Sequence, residues 1–189
     1  MGSEMCIRDR EIAVVQSKLC IGLKCGIEPT SKEYYALMLG GCIFGGSPFS
    51  KLFTNVREKL SLAYYASVRT ERFKSTMFIS SGIETDKYQA AYDEILVQFN
   101  KMKSGDITDS EVVNSKLYLT NGFNSMKDGL RTMEDYYLSQ AIMDNKGEID
   151  DLIEMTNKVT KEEIVEAFNK VEIDTVYFLK GCASDGGDE

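Results

Sequence analysis

Residues 45–71 are the stretch that most constrains the fold, because they combine a glycine pair, a helix pattern and a strand pattern in immediate succession. The glycines precede Ser47, a preferred N-cap residue, and Pro48, which suits the first helical position because its missing N–H needs no partner there. Apolar residues then follow at helical spacing and predict an amphipathic helix packed on a core: Phe49, Leu52, Phe53, Val56 and Leu60. From Ala63 the pattern becomes that of a strand and continues to about Glu71.

The patterns on either side of this stretch predict an α+β domain. We expect a strand over residues 12–25, a helix opened by a capping box between Thr30 and Glu33, and a hairpin that pairs 63–71 with 75–83. Further helices are expected between Thr85 and Gly105, over 130–141 and over 149–157. Two more should each begin with a capping box, Thr108 with Glu111 and Thr160 with Glu163. A closing strand is expected at 175–179. This order predicts a mainly antiparallel sheet with its helices packed on one face.

A chain of 189 residues predicts one domain, which we expect to span residues 11–181. Residues 1–10 read MGSEMCIRDR, and the string MCIRDR resembles a translated adapter found at the ends of environmental sequence fragments. We therefore expect a non-native prefix here, with the natural protein extending further upstream. The final residues, 182–189, are expected to be disordered.

Composition excludes several partners and compartments. A net charge of -8 argues against a nucleic-acid partner, since phosphate binding needs a basic face. No apolar run approaches the roughly 20 residues that span a bilayer, and no signal peptide is apparent. Five scattered cysteines without a C-x-x-C pair indicate reduced thiols. We therefore expect a cytoplasmic protein.

The absence of histidine excludes several catalytic devices within this chain. A typical catalytic zinc site, a histidine general base and a Ser-His or Cys-His nucleophile all require a residue that the sequence lacks. Cys20 and Cys25 are a weak alternative as metal ligands, because five positions apart on a strand they point to opposite faces. We therefore expect neither a metal nor another cofactor in this chain.

Residues 44–67, FGGSPFSKLFTNVREKLSLAYYAS, resemble the carboxy-terminal domain of the pitrilysin/insulinase family of zinc peptidases. The likeness continues in weaker form over about 12–181, including GDITDSE at 105–111 and a closing VYFLKG. It looks closest to bacterial insulinase-like proteins that are associated with elongation-factor-P aminopentanol modification and lack the zinc motif. The resemblance implies an insulinase or mitochondrial-processing-peptidase-like domain that lines a chamber and faces a homologous, zinc-bearing domain, in cis or in trans. The zinc motif H-x-x-E-H belongs to that partner, so no activity is expected from this chain alone.

The resemblance also implies site residues. The family's second domain reaches the substrate with an arginine and a tyrosine seven residues later, which match Arg57 and Tyr64. Neither is a metal ligand: they would contact the peptide substrate and the transition state. Gly45, Gly46 and Ser47 are similar in place to the glycine-rich loop with which non-catalytic subunits of the mitochondrial processing enzyme touch their substrate.

Structural explanations of the same residues stay open. Arg57 lies at the edge of the predicted apolar stripe, where an arginine commonly snorkels or forms a surface ion pair. By alternation Tyr64 shares a face with Ala66 and Val68 and would then be a core residue. The predicted function is therefore the non-catalytic half of a two-domain zinc peptidase. The alternatives are a structural subunit of the same fold, like the core subunits of respiratory complex III, or a free-standing binding domain.

Overall fold

A mainly antiparallel sheet organises the computed structural model, which describes residues 6–12 and 16–181. Its strands are β1 (Cys6–Ile12), β2 (Ser17–Lys24), β3 (Ala63–Glu71), β4 (Thr76–Ile83) and β5 (Glu172–Gly181). They lie in the order β1-β5-β2-β4-β3; β1 runs parallel to β5, and the other neighbours are antiparallel. The α+β class and the antiparallel hairpin of β3 with β4 are thereby confirmed.

The α-helices are α1 (Glu33–Gly41), α2 (Tyr88–Ser104), α3 (Asp109–Met126), α4 (Leu130–Ile142), α5 (Ile149–Lys158) and α6 (Lys161–Lys170). Two π-helical segments, Cys42–Gly46 and Phe53–Lys59, follow α1. Alternate residues of the strands are buried beneath the helices, for example Leu19, Ile21 and Leu23 in β2. They form one core with aromatic rings from the helical layer: Phe44, Phe99 and Phe168.

Two of the predicted capping boxes are confirmed and one is wrong. The Thr108 and Thr160 hydroxyls each accept the amide N–H of the glutamate three residues later, at 3.2 Å, and those glutamates accept the threonine N–H groups at 2.8 Å. Thr30 caps no helix, since α1 begins only at Glu33. The Ser31 N–H and hydroxyl both donate to the Glu28 carbonyl, and this turn separates Thr30 from the first helical turn.

The predicted strand over residues 12–25 is wrong at its amino-terminal end. Ile12 is the last residue of β1 and pairs with Gly181, whereas the next strand begins at Ser17. Because β5 lies between β1 and β2 and runs parallel to β1 and antiparallel to β2, these two strands run in opposite directions and cannot be one continuous strand. The closing strand is longer than predicted, since it has partners on both sides.

The tail 182–189 lies outside the described residues, and the origin of the prefix stays a prediction. No helix in the described ranges has both the length and the apolar character that a membrane span requires.

Candidate functional site

The helix that carries Arg57 begins three residues later than the sequence predicts. The Ser50 amide donates to the Ser47 carbonyl at 3.2 Å, so Ser47 to Ser50 close a turn and the first helical residue is Lys51. The Ser50 hydroxyl, not that of Ser47, then accepts the Phe53 N–H at 3.4 Å. The predicted N-cap at Ser47 and first position at Pro48 are therefore wrong.

This helix is π-helical over Phe53–Lys59, which changes the faces that its side chains occupy. The Leu60 N–H donates to the Asn55 carbonyl at 3.2 Å, the i→i−5 bond of a π-turn. The predicted apolar stripe assumed the narrower α-helix, so it is only partly confirmed. Leu52 and Val56 are fully buried, but Leu60 is half exposed because the wider turn rotates it away from the core.

Arg57 lies on the exposed side of the π-helix. Its guanidinium carbon sits 4.5 Å from the centroid of the Phe53 ring, a cation–π contact that fixes the arginine stem while leaving its N–H groups in solvent. The residue is therefore neither a core residue nor a free surface chain. It is held at a defined place on the surface with its donors available.

A β-bulge at the start of β3 brings Tyr64 to the surface. Ala63 pairs with Ile83 and Tyr65 with Gly82, so Tyr64 is an extra residue without an opposite partner. Ala66 keeps its place in the core, but Tyr64 is 58% exposed. The open alternative of a core tyrosine is thus wrong, because alternation does not hold across a bulge. The neighbouring Tyr65 ring covers Gly82, where an added Cβ would come within 2.5 Å of its Cε1 atom.

Arg57 and Tyr64 line one open cavity of about 390 Å³. The loop between the π-helix and β3 supplies one wall, and the carboxyl end of β4 supplies the other, through Glu84 and Lys87. The Tyr64 hydroxyl donates to Glu84 Oε1 at 3.4 Å, and Lys87 Nζ lies 3.0 Å from the same oxygen. The Glu84 carboxylate thereby raises the pKa of Lys87. The cavity thus combines the donor groups of Arg57, Tyr64 and Lys87 with the carboxylate of Glu84.

Glu84 and Lys87 were not predicted as site residues, although the predicted hairpin contains a signal for Glu84. Ala63 pairs with Ile83 in an antiparallel hairpin, so the register continued past β4 places Glu84 opposite Leu62, at the start of β3. The hairpin register thus indicates that Glu84 lies near this end of β3, whereas its contact with Tyr64 depends on the side chains. Lys87 depends on the 3₁₀ turn Thr85–Lys87, which the sequence pattern does not specify.

The predicted substrate-binding residues Gly45, Gly46 and Ser47 do not line this cavity. Gly45 is buried under β3, where an added Cβ would lie 2.4 Å from Val68 Cγ2. Gly46 is exposed, whereas Ser47 is buried near Cys42. Burial raises the pKa of the Cys42 thiol, and the nearby hydroxyls of Ser115 and Ser47 oppose that rise. A structural role of Gly45 is evident, and substrate contact by these three residues stays a prediction.

A buried ion pair anchors the Arg57 helix to α3. Lys51 is 7% exposed, and its Nζ lies 2.8 Å from Glu111 Oε1. The other Glu111 oxygen accepts the Thr108 N–H at 2.8 Å, so one carboxylate joins the two helix starts. Burial alone would raise the pKa of Glu111, but Lys51 and Thr108 hold it below the ordinary value.

The described residues do not fit a zinc site. The chain has no histidine, and no group of three histidine, cysteine, aspartate or glutamate side chains comes together in the described ranges. Burial raises the pKa of Cys25 to about 11, so this thiol stays protonated at neutral pH and is a poor ligand. Cys20 lies on the opposite face of β2, as its spacing from Cys25 predicts. No step of a reaction is therefore assigned to a metal in this chain.

Known proteins resemble the chain over most of its length. The family model of the peptidase M16 inactive domain matches residues 2–119. The probable inactive metalloprotease YmfF of Bacillus subtilis is 39% identical over 89% of the chain and 39% of its own length. The uncharacterized zinc protease YmxG of the same organism is 28% identical over 85% of the chain and 37% of its own length. A conserved protein from Enterococcus faecalis V583 superposes with a TM-score of 0.91 at 30% identity, over 98% of this chain and 44% of that one.

These likenesses agree with the fold described above. The chain spans about two-fifths of the length of the curated relatives it matches. The resemblance to the non-zinc domain of the pitrilysin/insulinase peptidases is confirmed, and the chain belongs to the peptidase M16 inactive-domain family.

Proposed function

We propose that this chain is the non-catalytic half of a two-domain zinc peptidase, in which Arg57 and Tyr64 contact a peptide substrate held at the zinc of a homologous partner domain. One observation carries the proposal: the bulge and the π-helix bring these two donors to the same open cavity. Arg57 would hold a substrate carbonyl by its fixed N–H groups. The Tyr64 O–H would donate to an oxyanion as it develops, a contact that contributes a few kcal/mol when the donor is already in place.

The length of the relatives supports a partner domain, since their matched part is less than half of each chain. That domain would be either part of the same polypeptide or a separate chain, and this chain would line one side of the chamber between them. We place the assembly in the cytoplasm, because the described cysteines Cys20, Cys25 and Cys42 are free thiols.

The test is cleavage by the chain assembled with a zinc-bearing homologous domain, using a pool of fluorogenic peptides. We expect Arg57→Ala and Tyr64→Phe each to lower kcat/KM by roughly 10²-fold, as removal of one oxyanion donor does. Tyr65→Phe and Arg69→Ala are matched controls, because both residues are exposed on the same strand and neither lines the cavity. Cleavage that survives in Arg57→Ala would end the assigned role.

The alternative is a structural subunit of the same fold, which the name of the Bacillus relative, probable inactive metalloprotease, favours. It predicts a stable assembly that cleaves nothing in the presence of zinc. Under this alternative, Arg57→Ala and Tyr64→Phe would leave assembly, measured by size-exclusion chromatography, unchanged. A wild-type assembly that cleaves peptides in a zinc-dependent way would exclude it.

A further inference from the structure

Beyond its first residue, Asp109, the exposed face of α3 carries no charge. Every exposed position from Ser110 to Ser125 is uncharged, although 28% of the chain is charged. The Lys116 ammonium group within this range turns away and donates to the carbonyls of Asn157 and Val159, at 2.8 and 2.6 Å. We call the following residues the α3 face: Val113, Asn114, Leu117, Tyr118, Asn121, Gly122 and Ser125.

A hollow at Gly122 interrupts this face. An added Cβ at Gly122 would meet no atom within 4 Å, and a cavity of about 450 Å³ opens there, lined by α3 alone from Tyr118 to Met126. A glycine inside a helix costs about 1 kcal/mol relative to alanine, and packing against the described residues does not explain why one stands here. A glycine at such a place permits close approach from outside.

An aromatic contact joins the α3 face to the turn that precedes the Arg57 helix. Tyr118 meets Phe49 edge to face with centroids 5.7 Å apart. Phe49 lies in the turn that starts the π-helix, on which Arg57 covers Phe53. Both aromatic residues of this contact are substantially exposed, Phe49 at 38% and Tyr118 at 44%.

We propose that the α3 face is a docking surface for an uncharged segment of the peptide substrate, which continues from the Arg57–Tyr64 cavity. The identity of this occupant rests on the proposed function, but peptide binding to the face can be tested separately from cleavage. From Val113 to Ser125 the face is about 18 Å long, which matches about five or six residues of an extended peptide.

The chemistry of the face favours an extended peptide over a folded partner. Asparagine amides at Asn114 and Asn121 alternate along the helix with the apolar side chains of Val113 and Leu117, which are 61% and 60% exposed. An extended peptide needs both, because its backbone requires hydrogen-bond partners and its side chains require apolar contact. A charged peptide would lose hydration here without gaining an opposite charge.

The experiment measures binding of two labelled peptides to the whole chain by fluorescence anisotropy. One peptide has about twelve residues drawn only from Leu, Tyr, Asn, Ser and Gln, and the other carries Glu at about four of those positions. We expect Leu117→Lys to weaken binding of the uncharged peptide by at least about tenfold, and the charged peptide to bind at least about tenfold more weakly.

Val97→Lys is the matched control. Val97 is 46% exposed on helix α2, so the substitution introduces the same charge at an exposed apolar residue outside the α3 face. Both positions are on the surface, and circular dichroism with unfolding curves confirms that both variants fold. Gly122→Leu provides a second test, because it fills the hollow and should also weaken binding.

Loss of binding in Leu117→Lys with binding kept in Val97→Lys supports the proposal. Equal loss in both variants, loss in Val97→Lys alone, or no saturable binding below about 1 mM overturns it. Self-association that Leu117→Lys abolishes, without peptide binding, overturns it in favour of a second copy of the chain. Peptide binding that depends on Leu117, together with cleavage indifferent to Arg57, would keep this inference while rejecting the proposed function.

Discussion

Gly45 and Gly122 both lie in helical segments, but their surroundings predict opposite responses to the same change. At Gly45 a methyl group would overlap Val68, and we expect Gly45→Ala to destabilise the chain by about 1–3 kcal/mol. At Gly122 the same methyl group meets open space, and Gly122→Ala should stabilise by about 0.5–1 kcal/mol because helix propensity improves. Urea unfolding midpoints measure both. Equal stability of Gly45→Ala and wild type would contradict this expectation and would show that β3 moves to accommodate the added methyl group.

The Lys51–Glu111 pair predicts a pH-dependent loss of stability. Glu111→Gln leaves the buried ammonium without its charge partner, and we expect a cost of about 1–3 kcal/mol at pH 7. Because the pKa of Glu111 is lowered in the folded state, its contribution is complete above the unfolded value of about 4.3 and is lost as pH falls through the folded pKa.

The measurement is the free energy of unfolding of wild type and Glu111→Gln between about pH 7 and pH 3. The two curves should converge only at the acidic end of this range. Lys158→Met provides a control, since Lys158 pairs with Glu154 on the surface and should matter by less than about 1 kcal/mol. A difference between wild type and Glu111→Gln that stays constant down to pH 3 would contradict the argument.

At the scale of elements, the capping threonines give a prediction with a built-in control. Thr108→Ala and Thr160→Ala should each destabilise by about 1 kcal/mol, because each hydroxyl accepts an otherwise unpaired amide. Thr30→Ala should be nearly neutral, since its helix starts later. Thermal unfolding of the three variants distinguishes these cases. A loss in Thr30→Ala equal to the other two would mean that the α1 box forms in solution.

The order of elements could be predicted from the sequence, whereas the details of the site could not. Helices α2 to α6 and the β3–β4 hairpin follow from the periodicity of apolar residues and from capping residues. Both signals are local, since each cap lies within a few residues of the helix that it bounds. The position of Tyr64 depends on a bulge, and a period-two pattern contains no sign of an extra residue. The exposure of Leu60 depends on a π-turn, which a spacing of 3.6 residues does not represent. Arg57 and Tyr64 were found only through a family resemblance.

At the scale of the whole molecule, α4 exposes three large apolar side chains that the other described residues leave uncovered. Leu130 is 89% exposed, and Leu138 and Ile142 are 56% and 65% exposed. Exposed apolar side chains of this size favour association. We expect the isolated chain to associate with rising concentration in light scattering, and the double variant Leu138→Glu, Ile142→Glu to remain monomeric. A wild-type chain that is monomeric at all concentrations would instead favour the free-standing binding domain.

The origin of residues 1–10 is also a question about the whole molecule. Residues 6–10 form part of β1, which pairs with β5 at the edge of the sheet. We still propose that this segment is a non-native prefix, and sequencing the source DNA upstream of codon 11 tests it. A coding sequence that continues as MCIRDR in independent samples would contradict the proposal. An upstream domain with H-x-x-E-H would supply the partner in cis.

Because Tyr64 lies in a bulge, the number of residues between Arg57 and β3 decides whether its hydroxyl reaches the cavity. Deleting one residue there would return the strand to strict alternation, turn the tyrosine ring under the sheet and remove its hydroxyl from the cavity, without changing the composition of the site. A relative with both residues but a spacing shorter by one would thus look complete by its residue types and still lack the pair. Spacing, and not residue identity alone, therefore distinguishes chains that can present these two donors together from those that cannot.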